Sequence, residues 1–128
     1  MKPIYEPKGN GGKGMKRIIA SRGTGKSTEL LRMALEDKNA AIAVPSRTSV
    51  NYYCVLAHEA LGVPIEKINK FQGMAQIQDV SVAPFFDFTV NPEVRKFTSR
   101  AVYIDEIEEC IKMMMPIDDL AGYTLSIE

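Results

Sequence analysis

Arg17-Ile18-Ile19-Ala20-Ser21-Arg22-Gly23-Thr24-Gly25-Lys26-Ser27-Thr28 is the stretch on which the reading of this chain turns. It opens on an apolar run, and Glu29-Leu30-Leu31-Arg32-Met33-Ala34-Leu35 follows it with apolar residues at helical spacing. That order predicts strand, glycine-rich loop and helix, the context a phosphate-binding loop requires. Glycines let successive backbone N–H groups curl round an anion, and the helix N-terminus adds its partial positive charge. The cradle is therefore expected from Ser21, Arg22, Gly23, Thr24, Gly25, Lys26, Ser27 and Thr28. Within it Lys26 would reach the β- and γ-phosphates and the Ser27 hydroxyl would ligate Mg²⁺. One position departs from G-x-x-x-x-G-K-[ST]: Ala20 stands where the first Gly belongs. Ala resists positive φ, so the loop is expected to start from a more strand-like conformation.

Outward from this segment the chain alternates. Asp37-Lys38-Asn39 marks a turn, and Ala40-Ala41-Ile42-Ala43-Val44 reads as a short strand buried on both faces. A second helix is predicted from about Thr48 to Leu61, with Val50, Tyr53, Cys54, Ala57 and Leu61 on one face and Gly62 stopping it. Val63 to Phe71 has room for a third short strand. Residues 72–100 are the least legible, punctuated by Gly73, Pro84 and Pro92 and carrying the aromatic knot Phe85-Phe86-Asp87-Phe88. A helical turn is expected near Asn91–Phe97, with a packed excursion before it. Strands interleaved with helices predict an α/β fold, a three-layer α/β/α arrangement around a mostly parallel sheet of about four to five strands.

A second chemical motif lies at Ala101-Val102-Tyr103-Ile104-Asp105-Glu106. Four apolar residues predict a buried strand with two acids at its carboxyl end, where open α/β sheets place ligands. In a protein with a phosphate-binding loop, Asp105 would hold Mg²⁺ through its water shell, as its counterpart does in such enzymes, and Glu106 is placed to orient or deprotonate a water. The bland alternative for Glu106 is an acid at a helix start, favoured by the helix dipole. Ile107, Cys110, Ile111 and Met114 then form one face of a third helix. Pro116 ends it, and Tyr123-Thr124-Leu125-Ser126-Ile127 alternates as a final strand.

Composition narrows the class. The 128 residues are 45% apolar and 25% charged, ordinary for a globular protein. There is no membrane-length apolar run and no signal-peptide apolar region near the start, so a cytoplasmic protein is expected. Cys54 and Cys110 sit singly in apolar helical patterns and read as buried free thiols. Net charge is zero but uneven: residues 1–17 hold five cations against Glu6, and residues 105–128 hold seven acids against Lys112. A nucleic-acid-binding domain usually carries a basic face. Here only the N-terminal stretch offers one, so a nucleic-acid partner is unsupported by charge. Residues 1–15 are read as a flexible Gly- and Lys-rich leader, and residues 16–128 as a single domain.

The two motifs together resemble the P-loop NTPase superfamily, in its branch with an extra glutamate after the Walker B aspartate. Terminase, helicase and AAA-type ATPase cores belong to that branch. In size the chain is similar to small stand-alone ATP-binding proteins of phages and bacterial mobile elements, which look like a trimmed P-loop core. The likeness rests on Ser21 to Leu30, the strand Ala41–Val44, Tyr103-Ile104-Asp105-Glu106 and Tyr123-Thr124-Leu125-Ser126. In layout it covers residues 16–128, but only the two Walker segments are specific. The resemblance implies ATP and Mg²⁺ as ligands and a weak or partner-stimulated ATPase, with Lys26 and Glu106 catalytic and Ser27 and Asp105 at the metal. The alternative it leaves open is a nucleotide-gated interaction module that docks, as a homo-oligomer or on a larger phage or host complex, without significant hydrolysis. No Asn-Lys-x-Asp guanine-reading motif is present, which disfavours a GTPase. Arg22, Arg47 and Arg100 are the arginines closest in sequence to these motifs and to the second strand, and Arg22 lies inside the loop itself.

Overall fold

The computed structural model describes residues 4–6, 17–19, 25–37, 39–114 and 121. Ser27–Asp118 forms one compact unit, and Met1–Lys26 with Asp119–Glu128 forms another. In the smaller unit, β1 (Ile4–Glu6) pairs antiparallel with β2 (Arg17–Ile19), placing Ile4 opposite Ile19 and Glu6 opposite Arg17. Thus a strand lies within the stretch read as a leader.

The larger unit is an α/β structure on a five-stranded mixed sheet. Its elements are α1 (Lys26–Asp37, which starts one residue before the unit), β3 (Ala41–Val44), α2 (Arg47–Glu59), β4 (Ile68–Phe71), β5 (Met74–Ile77), β6 (Val80–Pro84), α3 (Asp87–Val90), α4 (Pro92–Arg95), β7 (Val102–Ile104) and α5 (Ile107–Met114). Single 3-10 turns lie at Ile65–Lys67 and Lys96–Ser99. The strand order is β4-β5-β6-β3-β7. β3 runs parallel to both β6 and β7, whereas β4–β5 and β5–β6 are antiparallel.

This corrects the expected sheet. A mostly parallel sheet would need every strand to return by a crossover, but β4, β5 and β6 are joined by tight turns that reverse the chain. With β1–β2 counted, three of the five described pairings are antiparallel. Among the described residues β2 pairs with β1, and β7 pairs with β3. The final strand read at Tyr123–Ile127 lies outside the described residues.

Helices cover both faces of the larger sheet, and the alternation of β3 explains how. Ile42 and Val44 point to one side, where Leu31 and Ala34 of α1 and Val50, Tyr53, Cys54 and Ala57 of α2 meet them with Ala75, Ile77, Val80 and Val82. Ala41 and Ala43 point to the other side with Ala83. Those three side chains are small, and the room they leave is filled by Met74, Phe88, Val94 and Phe97. β3 is therefore buried along its whole length, as its apolar run predicts. Across Gly62, the Val63 N–H reaches the Ala57 carbonyl at 2.8 Å and closes α2 where the sequence placed its stop. The Asn91 side chain accepts from the Glu93 N–H and caps α4, with Pro92 at its first turn, inside the segment expected to be helical.

β7 differs from its reading as a buried strand. Val102 and Ile104 remain 39% and 37% exposed, because among the described residues β7 pairs only with β3 and forms an edge of the sheet. Among the described residues no helix is long and apolar enough to cross a membrane.

Candidate functional site

β6, β3 and β7 point the same way, so the segments after them share one end of the sheet. Phe85 follows β6, Pro45 and Ser46 follow β3, and Asp105 follows β7. The Asp105 N–H donates to the Ala43 carbonyl at 2.9 Å, and the Phe85 N–H donates to the Val44 carbonyl at 2.7 Å. These bonds continue the ladder past the last strand residues and hold the Asp105 backbone in register with the centre of the sheet. Carboxyl ends of parallel strands are where α/β sheets gather ligand-binding residues.

Asp105 is only 8% exposed. A buried carboxylate needs donors to offset lost hydration, and two hydroxyls supply them. Ser27 Oγ donates to Asp105 Oδ2 at 2.9 Å, across 78 positions of chain. Tyr53 Oη donates to the same oxygen at 2.7 Å. Ser27 stands in the first turn of α1, and Tyr53 lies fully buried on the inner stripe of α2. Burial pushes the Tyr53 phenol far above its ordinary value, and the adjacent Asp105 charge pushes it further. The phenol therefore stays protonated and remains a donor. On the far side of Asp105, its carbonyl accepts from Cys110 Sγ at 3.3 Å. Burial, followed by the neighbouring acids Asp105, Glu106 and Glu109, pushes that thiol up to about 12.

Glu106 is half-buried, and its carbonyl accepts the Cys110 N–H at 3.0 Å as α5 begins. Its φ is +54°, in the left-handed region. The other described non-glycine residues with positive φ, Asn39, Gln72 and Gln78, lie in the turn after α1 and in the two hairpin turns. Glu106 alone among them sits between a strand and a helix at the carboxyl end of the sheet. Such backbone costs about 1–3 kcal/mol and concentrates at functional sites.

Of the residues picked out from sequence, Ser27 and Asp105 are brought into contact, with Glu106 next along the chain. Gly25 has φ +85°, the conformation a glycine in an anion-binding loop supplies. Lys26 and Thr28 are half-buried in the first turn of α1. Ser21, Arg22, Gly23 and Thr24 lie outside the described residues. Arg47 lies against the turn at Gly73, and Arg100 is engaged on the opposite face. There its guanidinium stacks 4.4 Å over Phe97 and donates to Ser81 Oγ at 3.3 Å. Cys54 and Cys110 are buried free thiols.

Tyr53 is the site residue that motif reading missed. Its signal was present in the helical stripe Val50, Tyr53, Cys54, Ala57, since a tyrosine on a buried face must find an acceptor for its hydroxyl.

One carboxylate and one hydroxyl do not make a protein-only metal cage, and no cluster of three or more metal-ligating acids, histidines or cysteines occurs among the described residues. The donor set fits Mg²⁺ held with a nucleotide, because that ion keeps several waters and takes one or two protein oxygens plus phosphates. No protein-family model, curated protein or solved structure matches this chain.

Proposed function

We propose that the chain binds Mg-ATP at the carboxyl end of the parallel strands and acts as a weak or partner-stimulated ATPase. The observation that carries this reading is the 2.9 Å contact between Ser27 Oγ and Asp105 Oδ2. It joins the hydroxyl of a Gly-Lys-Ser segment at a helix N-terminus to an aspartate that ends a strand. A phosphate–metal site brings those two oxygens together. In this reading Ser27 and Asp105 would hold the ion, which would supply positive charge to offset that of the phosphates. The Ser21–Thr28 segment, with Lys26, would bind the phosphates, and Glu106 would orient a water. Of the described arginines near the motifs, Arg47 lies against the turn at Gly73 and Arg100 stacks on Phe97. A missing arginine finger lowers phosphoryl-transfer rates by about 10³–10⁵, which argues for slow turnover until a second copy or another protein supplies the cation.

The test is thermal and calorimetric titration with ATP and Mg²⁺. At about 100 times its dissociation constant a ligand adds about 2.7 kcal/mol of stability. Wild type should gain that shift, and Lys26→Ala should lose it. A wild type with neither shift nor heat removes the proposal. Phosphate release then separates the ATPase from a gating module that binds without hydrolysis.

A further inference from the structure

We propose that Tyr53 is a positioning residue that holds the Asp105 carboxylate in the orientation needed to take Mg²⁺. The inference rests on the Mg-nucleotide reading above and extends it to a residue on α2, outside both motifs. Three observations carry it. Tyr53 is fully buried, so its ring has no alternative position in solvent. Its hydroxyl makes the shorter of the two bonds to Asp105 Oδ2, at 2.7 Å against 2.9 Å from Ser27. The Asp105 main chain is pinned on both sides, by its N–H to Ala43 and by its carbonyl to Cys110.

With the backbone fixed, the remaining freedom of Asp105 is rotation of the carboxylate. Ser27 cannot restrain that rotation independently, since its own oxygen is the other expected ligand. Tyr53 can, because a phenol has few rotatable bonds and this one is locked in the core between α2 and β3. Fixing Oδ2 in this way presents Oδ1 in a single direction before any ion arrives. Partners that orient a metal ligand in this manner typically contribute 10–100-fold in metal affinity.

The experiment compares wild type, Tyr53→Phe and Tyr53→p-aminophenylalanine, the last keeping an N–H donor where the hydroxyl was. Protein-bound Mn²⁺ is counted by equilibrium dialysis against Mn²⁺ and ATP, which places free Mn·ATP equally on both sides, and ATP binding is measured separately in EDTA. Tyr53→Phe should raise the Mn²⁺ concentration for half-saturation about tenfold and leave metal-free ATP binding within twofold. The amino variant should recover most of the loss. Unchanged Mn²⁺ binding in Tyr53→Phe overturns the inference, as does an equal loss in both titrations, which would mark a merely structural tyrosine. If wild type itself binds no Mn²⁺ with ATP, the Mg-nucleotide reading fails, and this inference with it. Should Tyr53→Phe not fold, the Tyr53 Cζ resonance of ¹³C-tyrosine-labelled wild type replaces it. Addition of Mg²⁺ to the ATP-bound protein must move that resonance, and an unmoved signal overturns the inference.

Discussion

The five-stranded sheet has two halves that meet at β6, and they behave differently. The parallel half, β6-β3-β7, is built around a strand buried on both faces, and it places the ends of three strands side by side. The antiparallel half, β4-β5-β6, reverses twice through tight turns and ends in β4, whose Phe71 is 50% exposed. In the antiparallel half neighbouring strands run in opposite directions, so their carboxyl ends alternate between the two ends of the sheet. Asp105 accordingly sits on the parallel side, within reach of a helix start and of a second helix's core face. The antiparallel half extends the platform on which α2 packs.

The largest expected contrast is in stability. Ile42 is fully buried at the centre of the sheet, so Ile42→Ala removes contacts on a face that cannot collapse. It should cost about 2–5 kcal/mol. Phe71→Ala at the exposed edge should cost under about 1 kcal/mol, as surface changes usually do. Denaturant unfolding of both variants checks this. Equal losses would break the distinction between a core half and a platform half.

Smaller, and confined to the platform, is the effect of Gly73→Ala. Gln72 and Gly73 have φ +51° and +81°, the paired left-handed residues of a two-residue hairpin turn. An added Cβ at position 73 would also lie 2.7 Å from Arg47 Nε. That side chain is flexible and can move, so the left-handed backbone decides the outcome. The left-handed penalty is about 1–2 kcal/mol, offset in part by the lower unfolded-state entropy of Ala. A net loss of about 1 kcal/mol follows, and adding Arg47→Ala should not restore it. Mg-ATP affinity should be unchanged. A weakened affinity would show that the hairpin reaches the site.

These two halves also differ in how far the sequence announced them. Ala41–Val44 is a continuous apolar run and Arg47–Glu59 a clean helical stripe, so both elements were legible, as were the ends at Gly62 and the capped turn at Asn91-Pro92. Of the β4-β5-β6 meander only β4 was, inside Val63–Phe71. Its turns are Gln72-Gly73 and Gln78-Asp79, which lack the usual Asn-Gly or Asp-Gly signature. β6 reads Val-Ser-Val-Ala-Pro, where the polar Ser81 is fully buried against Gln76 by a 2.9 Å bond. That reversal turned an expected parallel sheet into a mixed one. At the site, Ser27, Asp105 and Glu106 were picked out because each stands in a local sequence pattern, a Gly-Lys-Ser segment or an apolar run ending in two acids. Tyr53 was not, because its partner lies 52 residues away and only the fold brings them together.

The smallest structural effect, and the sharpest functional one, is expected at Glu106. Glu106→Gln keeps the side-chain length and asks glutamine to occupy φ +54°, which Gln72 and Gln78 already do in this chain at +51° and +55°. The left-handed backbone therefore adds no penalty in the variant, and the helix-dipole part of any stability loss at the start of α5 should be a few tenths of a kcal/mol. ATP affinity should hold within twofold, since the proposed site assigns the phosphates to the Ser21–Thr28 segment. Phosphate release should fall by about 10² or more if Glu106 orients the attacking water, the usual contribution of a positioned acid–base group. Release measured with γ-labelled ATP, at high protein concentration so that any second copy can contribute, reads this directly. An unchanged rate would remove Glu106 from the catalytic set and leave the left-handed turn as a feature of how β7 passes into α5. A stability loss above about 1 kcal/mol would instead make its carboxylate part of what holds the parallel half together.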